Sequence, residues 1–371
     1  MSLNIPAASA RPNASQGKIT QILAALMDMQ ETCTPQAMKD YNSNSKVQAQ
    51  FNQFGIEVLN KTVQNLDIGS TFTIGDYGCS HGRNSMTVIN AILDSIHARR
   101  SNTQPLTVQV YHNDLPLNDF GEVFKCLQDP TLTYQNHSLV NSNPDHLIIT
   151  MISAKSFYSQ CLPNDHVDLA ISFNCVHWLQ SISTTLYRPL TLYSSQITTD
   201  QKRQIQEAGH CQLVSFLRSR AMELRLDGHL VFSLLNRLDT LRDMDAVWQQ
   251  HIEEYNIDIN LLDATLVPVL LRTQEDIERA IREVPSLSLI SCTEYSRQTD
   301  FGRGEYGIAQ LKATVWPQLQ TGLTKRNVFS NDSQLAEFID TFFMKVRSFD
   351  ESRQEEILSA KFVTVKKVSN A

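Results

Sequence analysis

The chain has 371 residues, of which 42% are hydrophobic and 19% are charged. It is therefore too apolar to be disordered and too polar to lie within a bilayer. Its formal net charge is −7, and it has no basic run of the kind that neutralises nucleic-acid phosphates, so a small-molecule ligand is favoured over nucleic acid.

Residues 1–35 are predicted to form a partly mobile N-terminal tail. The apolar stretch 19–29 is interrupted by Gln21 and Asp28 and lacks a cleavage-type flank, so it fits an amphipathic helix better than a secretion signal. No stretch approaches the roughly 20 apolar residues of a membrane span. The seven cysteines include no C-x-x-C pair, which argues against a disulfide framework and a zinc site. We therefore predict a cytoplasmic protein with no membrane segment and no metal.

From residue 71 onward, strand-length apolar runs alternate with helix-length amphipathic stretches. This alternation predicts an α/β fold with a parallel sheet covered by helices. The predicted strands are 71–77, 107–113, 166–173 and 228–235. The predicted helices between them are 84–97, 117–127 and 199–226.

The second half of the chain predicts an insertion followed by further sheet elements. Helical patterns around 244–255 and 273–282 predict a mostly helical cap, residues 241–310, over the ligand edge of the sheet. Residues 311–371 are predicted to complete the core sheet, with a last strand over 361–368. Residues 36–240 are then the predicted ligand-binding core.

The sharpest local motif is the glycine-rich turn at residues 76–84 (DYGCSHGRN), which lies between a predicted strand and a predicted helix. Gly78 and Gly82 allow the backbone to approach a ligand closely, and Asp76 can accept a hydrogen bond from a ligand ammonium group. The Gly-x-x-x-Gly spacing differs from the dinucleotide motif G-x-G-x-x-G. The turn suits S-adenosylmethionine (SAM), with a purely structural strand–helix turn as the alternative.

A second carboxylate, Asp114, follows the predicted strand 107–113. A carboxylate at this position can bind both hydroxyls of a nucleoside ribose. The alternative is an Asx turn that caps the next helix. The preceding glycine turn favours the ribose interpretation.

Six motifs, in the same order, closely resemble those of the SABATH methyltransferases, the family of salicylate, jasmonate and caffeine-pathway enzymes. The resemblance spans most of the chain and implies a Rossmann-like class I methyltransferase sheet with helices on both faces. The motifs are Tyr41-x-x-Asn44-Ser45-x-x-Gln48, the glycine turn, Asn113-Asp114-Leu115-Pro116, Ser156-Phe157-Tyr158, Asn174-Cys175-Val176-His177-Trp178-Leu179 and Phe216-Leu217-x-x-Arg220-x-x-Glu223-Leu224.

The resemblance also implies residue roles. Gln48 and Trp178 would hold the substrate carboxylate as the catalytic pair, and Asn174 and His177 would lie in the substrate pocket. SAM, which becomes S-adenosylhomocysteine, would be bound by Tyr41, Ser45, Asp76, Gly78, Asn84, Asp114, Leu115, Ser156 and Phe157.

The chemistry of these side chains agrees with that assignment. A carboxylate is already nucleophilic at neutral pH, so its methylation needs alignment and exclusion of water rather than a general base. The Gln48 amide and the Trp178 indole N–H are neutral donors that can orient one carboxylate oxygen. Trp178 as a plain core residue is the alternative, and His177 either contacts the substrate or hydrogen-bonds within the pocket wall. Asn174 stands where salicylate-type members often have Tyr, which predicts an acid with a polar group or a non-aromatic body.

We therefore predict a SAM-dependent O-methyltransferase that converts a small carboxylic acid to its methyl ester. The alternatives are N-methylation of a small heterocycle and a catalytically silent SAM-binding member of the family. The silent alternative is disfavoured because Asp76, Asp114, Gln48 and Trp178 are all present. A homodimer is left open.

Overall fold

The computed structural model describes residues 35–99, 104–182, 184–349 and 356–369. The predicted N-terminal tail lies outside these ranges except for its last residue, Pro35. No helix in the described ranges has both the length and the apolarity required to cross a membrane.

One mixed sheet of seven strands organises the described part of the chain. Its strands are β1 (Thr71–Tyr77), β2 (Thr107–Asp114), β3 (Leu147–Ala154), β4 (Val167–Ser172), β5 (Leu224–Leu238), β6 (Leu287–Thr299) and β7 (Glu356–Lys367). Their spatial order is β3-β2-β1-β4-β5-β7-β6. The first five run parallel, whereas β7 runs antiparallel to both of its neighbours.

Helices cover both faces of this sheet. They are α1 (Lys46–Val63), α2 (Arg83–Arg99), α3 (Phe120–Gln128), α4 (Ser138–Asn141), α5 (Thr199–Glu223), α6 (Thr240–Glu254), α7 (Gln274–Arg282), α8 (Gly304–Lys325) and α9 (Asp332–Ser348). On β1, Phe72 and Ile74 pack in the core with α1, α2 and α3, whereas Tyr77 packs on the opposite face with α5 and α7. This alternation is the period of two that a buried strand imposes. The predicted fold class is confirmed.

A third hydrophobic cluster lies beyond the carboxyl end of β5, where α6, α8 and α9 pack together. Trp248 of α6 is fully buried and meets the rings of Phe338 and Phe342 edge-on, with centroids 5.8 and 5.4 Å apart. Two of these three helices come largely or wholly from residues after 310. The helical layer therefore draws on residues 311–371, where the sequence predicts a helix-rich segment over 328–347 before the last strand.

The structure corrects the prediction at two strands. Residues 287–299, assigned to the helical cap, form strand β6, which pairs with β7 along its whole length. β6 is an edge strand with many half-exposed side chains, so its sequence lacks a clear apolar pattern. β3, at the opposite edge, was not predicted, and Leu147 and Ile149 remain exposed there. The five predicted strands are all present, the last of them as β7.

Candidate functional site

The glycine turn joins β1 to α2 in a conformation that requires glycine. Gly78 and Gly82 have φ angles of +88° and +90°, in the left-handed region that other residues rarely adopt. A Cβ at Gly78 would lie 2.4 Å from Sγ of Cys175. The N–H groups of Gly78 and Cys79 both donate to the carbonyl of Asn113, at 2.8 and 3.0 Å. The ends of β1 and β2 are therefore held together at this turn.

Asp76 is buried at the end of β1 and hydrogen-bonded to a chain of polar side chains. Its Oδ2 lies 2.9 Å from Nδ1 of His112, and Nε2 of His112 lies 2.9 Å from the hydroxyl of Tyr134. That hydroxyl lies 2.8 Å from Oγ1 of Thr150. Because an ionised carboxylate can only accept, the contact places a proton on Nδ1. Sequence reasoning missed His112, although the parallel register sets it directly opposite Asp76.

Asp114 does not cap the next helix, because the N-cap of α3 is Asp119. Its Oδ2 accepts a hydrogen bond from the N–H of Ser80 at 2.7 Å, and its Oδ1 accepts one from the N–H of Leu115 at 2.8 Å. A carboxylate has further lone pairs for ligand hydroxyls. Burial raises the pKa of Asp114 to about 6; the two N–H donors oppose this shift, and the nearby Asp76 charge adds to it.

A cleft of about 1070 Å³, partly open to solvent, runs along the carboxyl ends of β1, β2 and β4. We call it the strand-edge cleft. Ser45 is buried immediately before α1 and is not among its lining residues, because the turn at Tyr41–Ser43 brings Tyr41, one turn earlier, to the cleft. The predicted cofactor residues that do line it are Tyr41, Asp76, Gly78, Asn84, Asp114, Leu115, Ser156 and Phe157.

A second cavity of about 630 Å³ adjoins the first, and we call it the apolar cavity. Tyr41, Asn174 and Trp178 line both spaces, whereas Gln48 and His177 line only the apolar cavity. The predicted catalytic pair, Gln48 and Trp178, is therefore brought to one cavity although 130 residues separate the two in the chain.

Gln48 and Trp178 are presented to the apolar cavity in different ways. Oε1 of Gln48 is buried and has no hydrogen-bond partner. The adjoining N–H of Val47 donates to Oε1 of Gln310 on α8 at 3.2 Å, which ties the start of α1 to that helix. The backbone of Trp178 is held through its N–H, which donates to Cys175, and its carbonyl, which accepts from the Tyr158 hydroxyl at 2.6 Å. An amide oxygen without a partner and a tryptophan with an anchored backbone therefore border the same space.

Asn174 and His177 complete the polar end of this cavity. Asn174 has a φ of +58°, a conformation that Asn tolerates better than Tyr does, and its Nδ2 donates to Oδ1 of Asn52 at 3.0 Å. Burial and the Arg272 charge lower the pKa of His177 to about 3. Nδ1 of His177 is buried without a partner. His177 is therefore neutral at physiological pH and cannot serve as a base that titrates near neutrality.

A family model described as "SAM dependent carboxyl methyltransferase" matches residues 31–360 of the chain. The chain belongs to this family. The resemblance to the SABATH enzymes is thereby confirmed, and the cofactor of the family is SAM.

Relatives within this group differ in their named chemistry. The chain is 26% identical to 3,7-dimethylxanthine N-methyltransferase 2 of Coffea arabica, over 66% of this chain and 69% of the relative. It is 28% identical to Methyltransferase LUC1 of Fusarium sp, over 57% of this chain and 55% of the relative. It is 27% identical to Indole-3-acetate O-methyltransferase 1 of Arabidopsis thaliana, over 53% of this chain and 55% of the relative. The matches to the last two therefore span little more than half the length of each relative.

Among solved structures, the fold is similar to that of a loganic acid methyltransferase with SAH. The TM-score is 0.69 with 18% sequence identity, and the match covers 89% of this chain and 96% of that one. At this identity the comparison supports the shared fold.

The strand-edge cleft of this SABATH chain fits SAM. Gly78 lines the cleft, and a side chain there would clash with Sγ of Cys175. Asp76 and Asp114 are acceptors suited to an ammonium group and to ribose hydroxyls. When bound, SAM supplies an electrophilic methyl group on a sulfonium. No three His, Cys, Asp or Glu side chains in the described ranges are grouped as metal ligands.

A buried ion pair holds one wall of this cleft. Arg220 and Glu223, both fully buried, pair at 2.8 Å on α5. Arg220 also donates to the carbonyls of Phe157 and Ser159 at 2.8 and 3.0 Å, and Glu223 accepts from the N–H of Leu162 at 3.0 Å. The pair thus anchors the loop that carries Phe157. The sequence motif contained both residues but indicated no role for them.

Proposed function

We propose that this SABATH protein transfers the methyl group of SAM to the carboxylate of a small acid. A carboxylate oxygen forms the new bond to the methyl carbon, and the breaking C–S bond leaves its electron pair on sulfur. The products are a methyl ester and S-adenosylhomocysteine. The observation that carries the proposal is that Gln48 and Trp178, whose side chains both carry neutral N–H donors, line one cavity that adjoins the strand-edge cleft.

The electrostatics of the site favour a substrate that is already ionised. A carboxylic acid with a pKa near ~4 is a carboxylate at neutral pH, so no proton has to leave during the transfer. His177 is held neutral by burial and Arg272, and a neutral wall does not lower the nucleophilicity of the carboxylate as an ion pair would. A neutral wall beside an ionised substrate therefore favours carboxyl methylation without a general base.

Each predicted residue then has a defined task in the proposal. The Gln48 amide and the Trp178 indole orient the acid, while Asn174 and His177 shape the pocket beside it. Binding of SAM falls to the strand-edge cleft, through the eight predicted residues that line it. We also propose that the protein is cytoplasmic. A homodimer stays a prediction.

A scan of carboxylic acids with methyl-labelled SAM tests the function. We expect label that is extractable into organic solvent and is released by mild alkali, because methyl esters hydrolyse in alkali whereas N-methyl groups do not. A parallel xanthine panel tests the named chemistry of the Coffea arabica relative. Alkali-stable label alone would replace the proposal by N-methylation, and binding of SAM without turnover of any acceptor would favour a silent protein.

A further inference from the structure

The apolar cavity has few polar side chains, and most of its wall is hydrocarbon. The polar side chains Tyr41, Asn174 and Trp178 lie where the cavity meets the strand-edge cleft, because they line both spaces. The wall away from this junction consists mainly of Val and Leu side chains from α1, β5, α8, β7 and the segment around Val267. Apart from Gln48, His177 and Thr314, which line only the apolar cavity, the polar side chains therefore lie where the methyl group would arrive.

Thr314 on α8 does not break this pattern. Its Oγ1 donates to the carbonyl of Leu311 at 2.9 Å, so its hydrogen is already used within the helix. None of the described residues that line the apolar cavity is Asp, Glu, Lys or Arg. His177 is uncharged near neutral pH because burial lowers its pKa to about 3. Apart from Gln48 and His177, the described wall beyond the junction thus offers no free donor, and none of its side chains is charged.

We propose that the acceptor is a monocarboxylic acid whose body beyond the carboxyl group is apolar and carries no second charge. This inference rests on the proposed function and narrows it to one substrate class. A second carboxylate, a sugar hydroxyl or a ring carbonyl buried against Val and Leu side chains would lose its hydrogen bonds to water without replacement. Apolar carbon in the same place gains free energy by leaving water.

The same argument separates this chain from the named substrate of one similar protein, a xanthine. A xanthine carries polar atoms around its whole ring, and only one side of the cavity has groups to meet them. A free dicarboxylic acid would bury an unpaired charge. The cavity therefore selects by the penalty it imposes on polar groups, which is a common basis of specificity.

The test compares three matched ligands: decanoic acid, its ω-hydroxy derivative and decanedioic acid. Their binding to the protein saturated with S-adenosylhomocysteine is measured by calorimetry, which needs no methyl transfer. We expect the hydroxyl to weaken binding by about 10- to 100-fold and the second carboxylate to weaken it by more than about 100-fold. Equal or tighter binding of either polar ligand would overturn the inference.

Two cavity variants and one matched control test whether the lining of the apolar cavity causes the preference for decanoic acid. Leu311→Lys places a cation on α8 and is expected to reverse the ranking in favour of decanedioic acid. Val267→Thr changes shape little and should narrow the gap between decanoic acid and its hydroxy derivative, which keeps the test decisive if the lysine variant does not fold. Thr321→Gln, on the exposed side of α8, should change neither the ranking of the three ligands nor the gap between decanoic acid and its hydroxy derivative. An unchanged ranking in the folded cavity variants would overturn the inference.

Binding and turnover separate the two claims. Selective binding of decanoic acid without ester formation from any acid would refute the proposed carboxyl methylation and leave the cavity chemistry standing. Ester formation from hydroxylated or dicarboxylic acids in preference to apolar ones would refute the substrate class and leave the methylation standing.

Discussion

The two adjoining spaces of the site are built differently. The strand-edge cleft is formed largely by short segments that follow β1, β2 and β3, and its key groups are backbone turns and buried carboxylates. The apolar cavity is assembled from α1, β5, α6, α8 and β7, which are scattered over more than 300 residues of the chain. The difference indicates that cofactor binding depends on local geometry, whereas acceptor selection depends on how distant elements pack.

The largest effect should come from breaking the support of the strand-edge cleft. Arg220→Met leaves Glu223 charged and unpaired in the core, which is expected to cost about 3–5 kcal/mol of unfolding free energy. Urea denaturation measures this loss, and calorimetry should show weaker SAM binding because the Phe157 carbonyl loses its donor. Arg203→Met, on the same helix, removes an exposed pair with Asp200 and should change stability little. Similar losses in both variants would refute the anchoring role.

Removal of the Asp114 carboxylate should weaken the strand-edge cleft directly. Asp114→Ala is expected to lower the affinity for S-adenosylhomocysteine by about 1.5–3 kcal/mol, since hydrogen bonds to a charged group are lost. Asp119→Ala is the matched control, because Asp119 caps α3 and lies outside both cavities. Unchanged affinity in a folded Asp114→Ala protein, measured by calorimetry, would contradict the ribose assignment.

The raised pKa of Asp114 predicts a pH dependence of cofactor binding. Above its pKa of about 6 the group is a carboxylate that accepts ribose hydroxyls, and below it the group is protonated and accepts less well. Affinity should therefore fall as the pH is lowered through this value, by about tenfold between pH 7 and pH 5. Asp114→Asn cannot titrate and should lack the step. A step that persists in this variant would have to come from another group.

A smaller and purely kinetic effect is expected at the wall shared by the two spaces. Trp178→Phe keeps much of the bulk and removes the indole N–H, so turnover should fall by about tenfold while cofactor affinity stays the same. Trp316→Phe, on α8 and outside both cavities, serves as the control. Full activity of Trp178→Phe on the best acid would remove the carboxylate-orienting role.

The smallest effect should be that of pH on turnover. Because the nucleophile is already ionised and His177 has a pKa of about 3, the rate at saturating substrate should be nearly flat from about pH 6.5 to 8.5. The same flat profile is expected for His177→Gln at a lower rate. A steep limb in the wild type that disappears in this variant would indicate a base-assisted reaction.

The strand-edge cleft was largely predictable because its signals are local. Gly78 and Gly82 require a left-handed backbone, and the strands before and after them carry apolar side chains at strand spacing. Asp114 lies directly after such a strand, so the parallel sheet alone brings it to the same edge as Asp76. Ser45 lies just before α1 and outside the lining of the cleft, so its role in binding the cofactor stays a prediction.

The amino-acid sequence by itself determined the α/β class, the glycine turn and the family, since each is written in contiguous residues whose spacing matches a helix, a strand or a turn. Only the tertiary structure decided the contact of His112 with Asp76, the place of β6 in the sheet and the apolar wall beyond Gln48 and Trp178. These features depend on strand register and on packing between helices far apart in the chain. Spacing along one segment cannot encode either, because the partner that completes each contact lies in another segment.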